Sequence, residues 1–279
     1  MIDFHAHFGN LAREGYPTRP PLSVHQLVDR MNREGIALSV LLPLESPEGD
    51  WGYLLTEQVI AARNTYPERF IAFLDVDPRY PRAGQLIDVF VRDHGCVGLG
   101  EHVNGLALDD PLNMAIWAKC DEHGLPVVVE INKDQLCHDD VGLPRLESCL
   151  QTFLNVTWCG HGPGFWSSIS GDDDGRQVYP QGPVTPGGAL DRLLAKYDNL
   201  YCDLSAFSGY NALTRDPEFT LGFVARHWQR MLLGTDIVYA GDQLPVLEWI
   251  RTLDVDDPVR SAISDGNARR ILGLGSVGK

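Results

Sequence analysis

No stretch of this sequence holds the roughly 18 or more consecutive apolar residues that a membrane-spanning helix needs. The start of the chain has neither a basic region nor a long apolar core, so we expect no secretion signal. The chain's six cysteines are scattered without a Cys-x-x-Cys pair, which fits reduced thiols in a cytosol better than disulfides or a zinc–thiolate cluster. These absences favour a cytoplasmic protein with no membrane partner.

Positive charge is also scarce in this chain. There are 23 Lys and Arg against 38 Asp and Glu, a formal net charge of -15, and the basic residues do not form a cluster. Binding to nucleic acid or to an anionic membrane normally requires a basic patch, so we expect a small-molecule substrate and no nucleic-acid partner. The hydrophobic content of 44% is ordinary for a folded globular protein.

Short apolar runs alternate with amphipathic stretches along the whole chain. The first strand begins at Ile2, and further strands are predicted over residues 36–43, 70–76, 97–100, 126–131, 156–161, 200–204 and 231–234. Eight strand–helix units, repeating about every 30 residues, predict an α/β fold of the (β/α)8 TIM-barrel type. A doubly wound open sheet is the alternative, but it normally uses fewer strands. Because composition does not break anywhere, we expect a single domain over residues 1–279.

Metal-competent side chains alternate with apolar ones at the start of the chain. In a strand, successive side chains point to opposite faces, so Asp3, His5 and His7 would share one face. Two histidines at this spacing can direct their imidazoles at one ion. The alternative is an ordinary histidine pair on a surface strand, which often occurs by chance.

Barrel enzymes build their sites at the C-terminal ends of the strands, so ligand-type residues that serve a function should cluster at those ends. Six predicted strand ends carry a histidine or an acid: His5 with His7, Glu101 with the adjacent His102, Glu130, His161, Asp203 and Asp236. Three valines precede Glu130, and a carboxylate after such a run is costly to bury unless an ion or another partner compensates it. This clustering predicts a metal site. Glu101 could be a ligand or a hydrogen-bond acceptor, and Asp203 could be a ligand or could only orient another side chain.

Several motifs, in order along the chain, carry a family resemblance. They are Asp3-x-His5-x-His7, Gly-His161-Gly-Pro-Gly, Asp203-Leu-Ser205-Ala206, Gly234-Thr235-Asp236 and Gly266-Asn267-Ala268-x-Arg270. Together they resemble the amidohydrolase-2 branch of the metal-dependent amidohydrolase superfamily, the branch of aminocarboxymuconate-semialdehyde decarboxylase. The resemblance implies a TIM barrel, one divalent metal, usually Zn²⁺, and a catalytic role for Asp236. Because members of that branch are often dimers, it also leaves a homodimer open.

The chain departs from that family at the end of the fifth strand, where the branch commonly has a histidine and this sequence has Glu130. A carboxylate ligand would make the ion less Lewis-acidic and would favour a harder ion such as Mn²⁺. Alternatively, Glu130 could bridge two metals with the help of Glu101. We therefore expect a divalent metal, Zn²⁺ before Mn²⁺, held by residues drawn from His5, His7, Glu101, Glu130 and Asp236, with the number of ions left open.

Such a site suits hydrolysis of a small carboxylate-bearing amide, lactone or ester. The metal would activate a water molecule, Asp236 would act as general base, and the metal or His161 would polarise the substrate carbonyl. The same site could instead decarboxylate a cyclic or unsaturated carboxylic acid, which would make the protein a lyase. The altered ligand set leaves a third interpretation, a barrel that has lost its chemistry and serves as a binding protein.

The segments that follow the strand ends supply the candidates for substrate binding. A Gly-, Pro- and Asp-rich stretch at residues 162–188, after the sixth strand, is too polar to hold a core and is predicted as a long active-site loop. Trp166 and Tyr210 could line a pocket for a planar or cyclic substrate, and Lys133 and Arg215 could bind its carboxylate. His102, just beyond the fourth strand, is expected to face the substrate or to support a ligand.

Overall fold

The computed structural model describes residues 1–11, 19–48, 53–133 and 136–275. Within these residues, eight parallel strands form a barrel: β1 (Ile2–Ala6), β2 (Leu38–Leu41), β3 (Phe70–Ala72), β4 (Leu99–His102), β5 (Pro126–Asn132), β7 (Thr157–His161), β8 (Leu200–Asp203) and β9 (Met231–Leu232). A further two-residue strand, β6 (Cys137–His138), pairs with the end of β5 and lies outside the ring.

The eight strands close into a ring. β1, β2 and β3 pair in that order, as do β4, β5, β7, β8 and β9, and all these pairs are parallel. A parallel bridge between Leu74 and Leu99 joins the two groups. On the opposite side, the Phe4 N–H donates to the Leu233 carbonyl at 2.8 Å, which joins β1 to the chain just after β9. The predicted TIM barrel is confirmed.

Helices connect the strands and cover the outside of the ring. Those in the described residues are α1 (Val24–Glu34), α2 (Thr56–Thr65), α3 (Ala83–Arg92), α4 (Pro111–His123), α5 (Pro144–Thr152), α6 (Pro163–Ser167), α7 (Ala189–Lys196), α8 (Ala206–Thr214), α9 (Pro217–His227), α10 (Pro245–Thr252), α11 (Asp257–Ser261) and α12 (Asn267–Ile271). α1 begins with a capping box, in which the Ser23 hydroxyl accepts the Gln26 N–H and the Gln26 side chain accepts the Ser23 N–H. None of these helices combines the length and the apolar character that crossing a membrane would require.

Two regions differ from the expected pattern. The segment predicted as a loop at residues 162–188 opens with the short helix α6, and Tyr210, expected in or near a loop, lies on α8. A glycine within α8 weakens its helical signal in the sequence, because glycine is a poor helix former. The structure gives the reason for that glycine, since a Cβ at Gly209 would lie 2.5 Å from the Leu204 carbonyl oxygen. The close packing of α8 against the chain after β8 therefore requires a glycine at position 209.

Two apolar clusters lie on either side of the strands. The larger fills the space between strands and helices and includes Leu27, Trp117, Leu146 and Leu193. The smaller takes residues from most of the barrel strands and fills the inside of the ring; it includes Ile2, Phe4, Val40, Phe73, Val128, Cys159 and Leu232. At the C-terminal ends of the strands the interior becomes polar, and His5, Glu101, His161 and Asp203 are all buried there. The barrel thus holds a polar centre on top of an apolar floor.

Candidate metal centre

Four ligand-type side chains converge at the C-terminal mouth of the barrel. His5 on β1 and His7, just after it, place their Nε2 atoms 3.0 Å apart. Glu101 Oε2 lies 3.3 Å from each of these nitrogens, and Asp236 Oδ1 lies 3.5 Å from His5 and 3.4 Å from His7. The histidines and Glu101 are buried, whereas 22% of the Asp236 side chain is exposed. Two imidazoles and two carboxylates around one point form a donor set that fits a divalent metal ion.

The partners of the two Nδ1 atoms orient the imidazole rings. His7 Nδ1 donates to the Leu42 carbonyl at 2.8 Å, and His5 Nδ1 donates to Asp203 Oδ2 at 2.6 Å. A carbonyl and a carboxylate can only accept, so Nδ1 carries a proton in both rings and Nε2 is the atom left to bind an ion. Asp203, at the end of β8, therefore orients a ligand, one of the two roles that its position in the sequence left open.

A second group of ligand-type side chains adjoins the first and shares Glu101 with it. Glu130 on β5 lies opposite His161 on β7 in the parallel register, and ligand atoms of Glu101, Glu130 and His161 lie within 4.8 Å of one another. His161 Nε2 is 3.6 Å from Glu101 Oε1 and 3.9 Å from Asp236 Oδ2. The structure thus groups Glu101 with His5 and His7 and places Glu130 beside His161.

The charges of this centre shift the pKa values of its members. Burial by itself lowers the pKa of His7, but the carboxylates of Asp236 and Glu101 that hydrogen-bond to it raise that pKa to about 9. Burial by itself raises the pKa of Glu101, yet the neighbouring His5 and His7 hold it well below its usual range. Glu101 therefore remains charged and needs positive charge beside it, which protons on the imidazoles or a divalent ion can provide.

Asp3 holds the first strand against the segment that carries Asp236. Its carboxylate accepts the Thr235 N–H at 2.8 Å and the Thr235 hydroxyl at 2.7 Å, and burial raises the pKa of Asp3 to about 7. The Asp236 N–H donates to the His5 carbonyl at 2.8 Å. Asp236 has a φ of 55°, a left-handed conformation that aspartate tolerates better than most residues. Asp3 is thus a support for the centre, since its oxygens are taken up by Thr235 rather than by the ligand group.

A cavity of about 400 Å³ opens above Asp236. Its lining includes Glu130, His161, Asp236, Arg19, Tyr179, Phe207 and Tyr239. The Arg19 guanidinium carbon lies 5.2 Å from the centre of the Tyr239 ring, a cation–π contact. A cavity of this volume, with aromatic walls, a guanidinium and a polar floor, suits a small molecule.

Comparison with known proteins assigns the chain to a family. A family model described as Amidohydrolase (Amidohydro_2) matches residues 2–274, which is nearly the whole chain. The chain belongs to the amidohydrolase family. The resemblance carried by the sequence motifs is thereby confirmed, and the protein is an enzyme of that superfamily. No curated protein matches the chain.

Solved structures share the fold over almost the whole length. An uncharacterized TIM-barrel protein from Bordetella bronchiseptica has 17% identity and a TM-score of 0.71, with 98% of this chain and 99% of that chain covered. A dihydroxybenzoic acid decarboxylase from Polaromonas sp. JS666, with bound manganese and the inhibitor 2-nitroresorcinol, has 16% identity and a TM-score of 0.63, with 98% and 96% covered. A probable 2-pyrone-4,6-dicarboxylic acid hydrolase from Acinetobacter baumannii, with citric acid bound, has 14% identity and a TM-score of 0.63, with 98% of each chain covered. At these identities the likeness supports the barrel and not a particular reaction.

Two residues expected to bind substrate lie instead behind the site of this amidohydrolase. His102 Nδ1 donates to Asp75 Oδ1 at 2.8 Å, and the ring packs edge-on against Trp117 of α4. Trp166 is 1% exposed, and its Nε1 donates to the Asp203 carbonyl at 2.9 Å. Because side chains alternate along β4, His102 points to the helices while its neighbour Glu101 points into the barrel. Trp166 supports the strand end that carries Asp203.

The other three expected substrate-binding residues lie in or beside the segment at residues 162–188. Lys133 Nζ pairs with both oxygens of Asp173, at 2.9 and 3.1 Å. Arg215 donates to a backbone carbonyl of that segment at 3.4 Å, and its burial lowers the pKa of the guanidinium. Tyr210 lies on α8, with its ring centre 6.2 Å from that of Phe207. Among the described residues that line the cavity, none is one of the five expected substrate-binding residues.

The cavity of the amidohydrolase is also lined by three residues that were not among the sequence candidates: Arg19, Tyr179 and Tyr239. Tyr179 belongs to the segment predicted as an active-site loop, so its region was indicated although the residue was not. Arg19 and Tyr239 lie in the segments that follow the first and the eighth barrel strand, but neither belongs to a motif. They meet because barrel closure brings their segments together, and the Ala240 N–H donates to the Pro20 carbonyl at 3.2 Å. No local signal could have found this pair.

Proposed function

We propose that the protein is a metal-dependent hydrolase that acts on a small carboxylate-bearing amide, lactone or ester. The observation that carries this proposal is the position of Asp236. Its Oδ1 lies 3.4 to 3.5 Å from both histidines of the ligand group, while 22% of its side chain is exposed at the cavity. One carboxylate therefore reaches both the point where an ion would bind and the space where a substrate would bind.

His5, His7, Glu101 and Asp236 would hold the ion. A divalent ion bound there would lower the pKa of a water molecule toward about 7 and would polarise a nearby carbonyl. The mixed set of two imidazoles and two carboxylates is compatible with Zn²⁺ and with Mn²⁺. The retention of this ligand set argues against a barrel that has lost its chemistry.

The protein's own side chains would move the protons. Asp236 accepts a proton from the attacking water and later delivers it to the leaving group. His161 Nε2, 3.9 Å from Asp236 Oδ2, can donate a hydrogen bond to the substrate carbonyl oxygen as negative charge develops on it. The His161 ring is held through Nδ1, which lies 3.1 Å from Ser205 Oγ. The base and the polarising group thus stand side by side at the cavity floor.

The cavity walls support a carboxylate-bearing, planar or cyclic substrate. Arg19 offers a fork of N–H donors that matches the two oxygens of a carboxylate. Tyr179, Phe207 and Tyr239 offer ring faces and edges against which a flat molecule can pack. Since the cavity carboxylates Glu130, Asp236 and Asp242 would repel a carboxylate, we expect the substrate to direct that group toward Arg19.

Decarboxylation is the second candidate reaction. The same aromatic walls would suit a ring-bearing acid, and one of the similar structures is a manganese-containing dihydroxybenzoic acid decarboxylase. In that reaction the carbon–carbon bond to the carboxylate breaks, CO2 leaves, and an acid at the floor protonates the ring carbon. Asp236 or His161 would be that acid. Hydrolysis consumes water and releases no CO2, so the products separate the two reactions.

Metal analysis and product analysis of the purified protein test the proposal. We expect at least one equivalent of Zn²⁺ or Mn²⁺ per chain, and hydrolysis of at least one member of a panel of carboxylate-bearing lactones, esters and amides. CO2 release from aromatic acids is assayed in parallel. Less than roughly a tenth of an equivalent of metal, not recovered when Zn²⁺ or Mn²⁺ is added, would contradict metal dependence. CO2 release without any hydrolysis would favour the decarboxylase.

A further inference from the structure

We propose that the N-terminal turn of α8, together with Tyr179, forms a subsite that binds an oxyanionic group of the substrate. Ala206, Phe207 and Ser208 of that turn line the cavity, and so does Tyr179. We call these four residues the α8 subsite. The inference rests on the proposed function, which takes this cavity as the place where the substrate binds. It assigns a negatively charged oxygen to a second wall of the cavity, apart from Arg19.

The first turn of α8 offers backbone N–H groups that lack their usual cap. The first four N–H groups of an α-helix have no acceptor within the helix, and a serine at the N-cap position usually accepts one of them. Ser205 occupies that position, but its side chain makes no capping bond. Its Oγ instead lies 3.1 Å from His161 Nδ1 and 3.2 Å from His5 Nδ1. The N-terminus of α8 therefore brings to the cavity wall N–H donors that Ser205 does not take up.

Ser208 adds a side-chain hydroxyl that lacks a partner. The residue is 3% exposed, and its Oγ is buried without a hydrogen-bond partner among the described residues. A hydroxyl that is removed from water and makes no hydrogen bond destabilises the fold. Because Ser208 lines the cavity, an oxygen of a bound molecule can supply the missing partner.

Tyr179 brings a second hydroxyl to the same wall. Its ring packs edge-on against that of Phe207, with the ring centres 5.0 Å apart. Burial, with smaller contributions from the carboxylates of Glu130 and Asp236, raises the pKa of the Tyr179 phenol. The hydroxyl therefore stays protonated at neutral pH and can donate a hydrogen bond to an acceptor oxygen.

The segment that carries Tyr179 is anchored to the barrel. The Gly171 N–H donates to the Thr185 carbonyl at 2.7 Å, so the residues between them form a compact loop of the Ω type with a closed neck. Near this neck, both oxygens of Asp173 pair with Lys133 Nζ, at 2.9 and 3.1 Å. Because these contacts hold the loop in place, less conformational entropy is lost when a ligand binds to Tyr179.

The charges around the cavity favour an oxyanion at α8. Three carboxylates line other parts of the cavity, those of Glu130, Asp236 and Asp242, and they would repel a negatively charged group. The first turn of α8 has no acidic residue. Its N-terminus carries a partial positive charge of about half an elementary charge, which acts only within the first turn. A negatively charged oxygen is therefore stabilised at the α8 subsite and disfavoured beside these carboxylates.

Two flat probes that differ by one carboxylate test the subsite. Benzoate has one oxyanionic group, and isophthalate has a second one on the same ring. The affinity of the purified protein for each probe is measured by isothermal titration calorimetry. We expect isophthalate to bind about 10-fold more tightly than benzoate, a factor typical of hydrogen bonds to a charged group. Ser208→Ala and Tyr179→Phe should each weaken isophthalate binding by about 3- to 10-fold and leave benzoate binding within about two-fold.

The matched control is Thr220→Val. Thr220 on α9 is 2% exposed and its Oγ1 also lacks a hydrogen-bond partner among the described residues, but it does not line the cavity. This variant should keep the full preference for isophthalate, and thermal melting checks that all variants are folded. No binding of either probe, equal affinities for both, or a preference that Ser208→Ala leaves unchanged would overturn the α8 subsite.

The outcome for the subsite can be separated from the outcome for the proposed function. Hydrolysis of a member of the lactone, ester and amide panel, together with an isophthalate affinity that Ser208→Ala does not change, would overturn the subsite and leave the proposed function standing. A preference that depends on Ser208, in a protein that binds neither Zn²⁺ nor Mn²⁺, would overturn the metal-dependent function and support the subsite.

Discussion

Adjacent residues on strand β4 belong to two buried clusters on opposite sides of the barrel wall. Glu101 joins His5, His7 and Asp236 inside the ring. His102 joins Asp75, Asn104 and Asn113 between the ring and α4, a set we call the His102 network. Both clusters combine histidine with carboxylate and both are buried, so neither residue type nor burial tells which cluster is functional.

Satisfaction of hydrogen bonds and access to a cavity separate the two clusters. In the His102 network, Nδ1 donates to Asp75 at 2.8 Å and Nε2 accepts from Asn104 at 2.8 Å, so both ring nitrogens have protein partners. In the candidate metal centre, the Nε2 atoms of His5 and His7 face each other and two carboxylates at 3.0 to 3.5 Å. Asp236 opens that group to the cavity. A network whose polar atoms all have protein partners stabilises the fold. A group of ligand atoms that opens to a cavity can bind an ion and a substrate.

The largest expected effect is on catalysis, through Asp236→Asn. The amide cannot accept the proton of the attacking water, so we expect kcat to fall by about 10²- to 10⁴-fold on whichever substrate of the panel is turned over. The melting temperature should change little, because this side chain is partly exposed. Activity within a few-fold of the unaltered enzyme would rule out Asp236 as the base.

Asp75→Ala in the His102 network should have the opposite pattern, a loss of stability without a loss of metal binding. Both side chains of the Asp75–His102 pair are 1% exposed, and removing one partner leaves the other buried without it. We expect the free energy of unfolding in urea to fall by about 3–5 kcal/mol. Metal content of the folded protein should stay the same. Loss of metal with unchanged stability would mean that the two clusters do not differ as described.

The pH dependence of stability should distinguish metal-free from metal-loaded protein. In the metal-free fold the pKa of His7 is raised to about 9 and that of His5 is raised well above its usual value, both by neighbouring carboxylates that outweigh burial. A histidine with a raised pKa stabilises the fold fully below its unfolded value, near 6.5, and this stabilisation is lost as the pH rises through 9.

Urea unfolding of chelator-treated protein should therefore give a lower free energy at pH 9 than at pH 6.5, by on the order of 2 kcal/mol. Metal-loaded protein should lack this loss, because the ion replaces the protons on the ring nitrogens. The His102→Gln variant serves as the matched control, since it removes a histidine of the other cluster and should keep the difference between the two forms. An equal pH dependence with and without metal would contradict ligation by the first-strand histidines.

The smallest expected effect concerns Arg19→Ala at the cavity wall. Loss of a charged hydrogen-bond donor to the substrate carboxylate should raise KM by about 10- to 100-fold and leave kcat within a few-fold. The methyl ester of the same substrate, which lacks the charge, should show little change in KM. If KM rises equally for both compounds, Arg19 shapes the cavity without recognising a carboxylate.

The barrel and most of its polar centre could be predicted because their signals are local. Apolar runs at a regular spacing indicate strands, and barrels place functional residues at strand ends, so His5, His7, Glu101, His161 and Asp236 were all candidates. The distinction between Glu101 and His102 was harder. Both were expected beyond the fourth strand, and both lie within β4, where one step along the chain reverses the direction of the side chain.

The substrate side of the site could not be predicted from local patterns. Lys133 has the right charge and a suitable position, but its ammonium pairs with Asp173, 40 residues further along the chain. Arg19 carries no motif and reaches the cavity only because its segment contacts that of Tyr239. Electrostatic partners so far apart in sequence are set by the packing of loops, which a linear pattern does not contain.

The amino-acid sequence by itself determined the parallel barrel, the family and the residue types available at its mouth, because strand periodicity and strand-end chemistry are properties of short segments. The tertiary structure alone decided how those residues combine. It placed Glu101 between the two histidine groups, left Glu130 beside His161, and turned His102 and Trp166 into supports. The physical reason is that ligation and hydrogen bonding act over about 2–3 Å, and only closure of the ring brings atoms from distant strands to such distances.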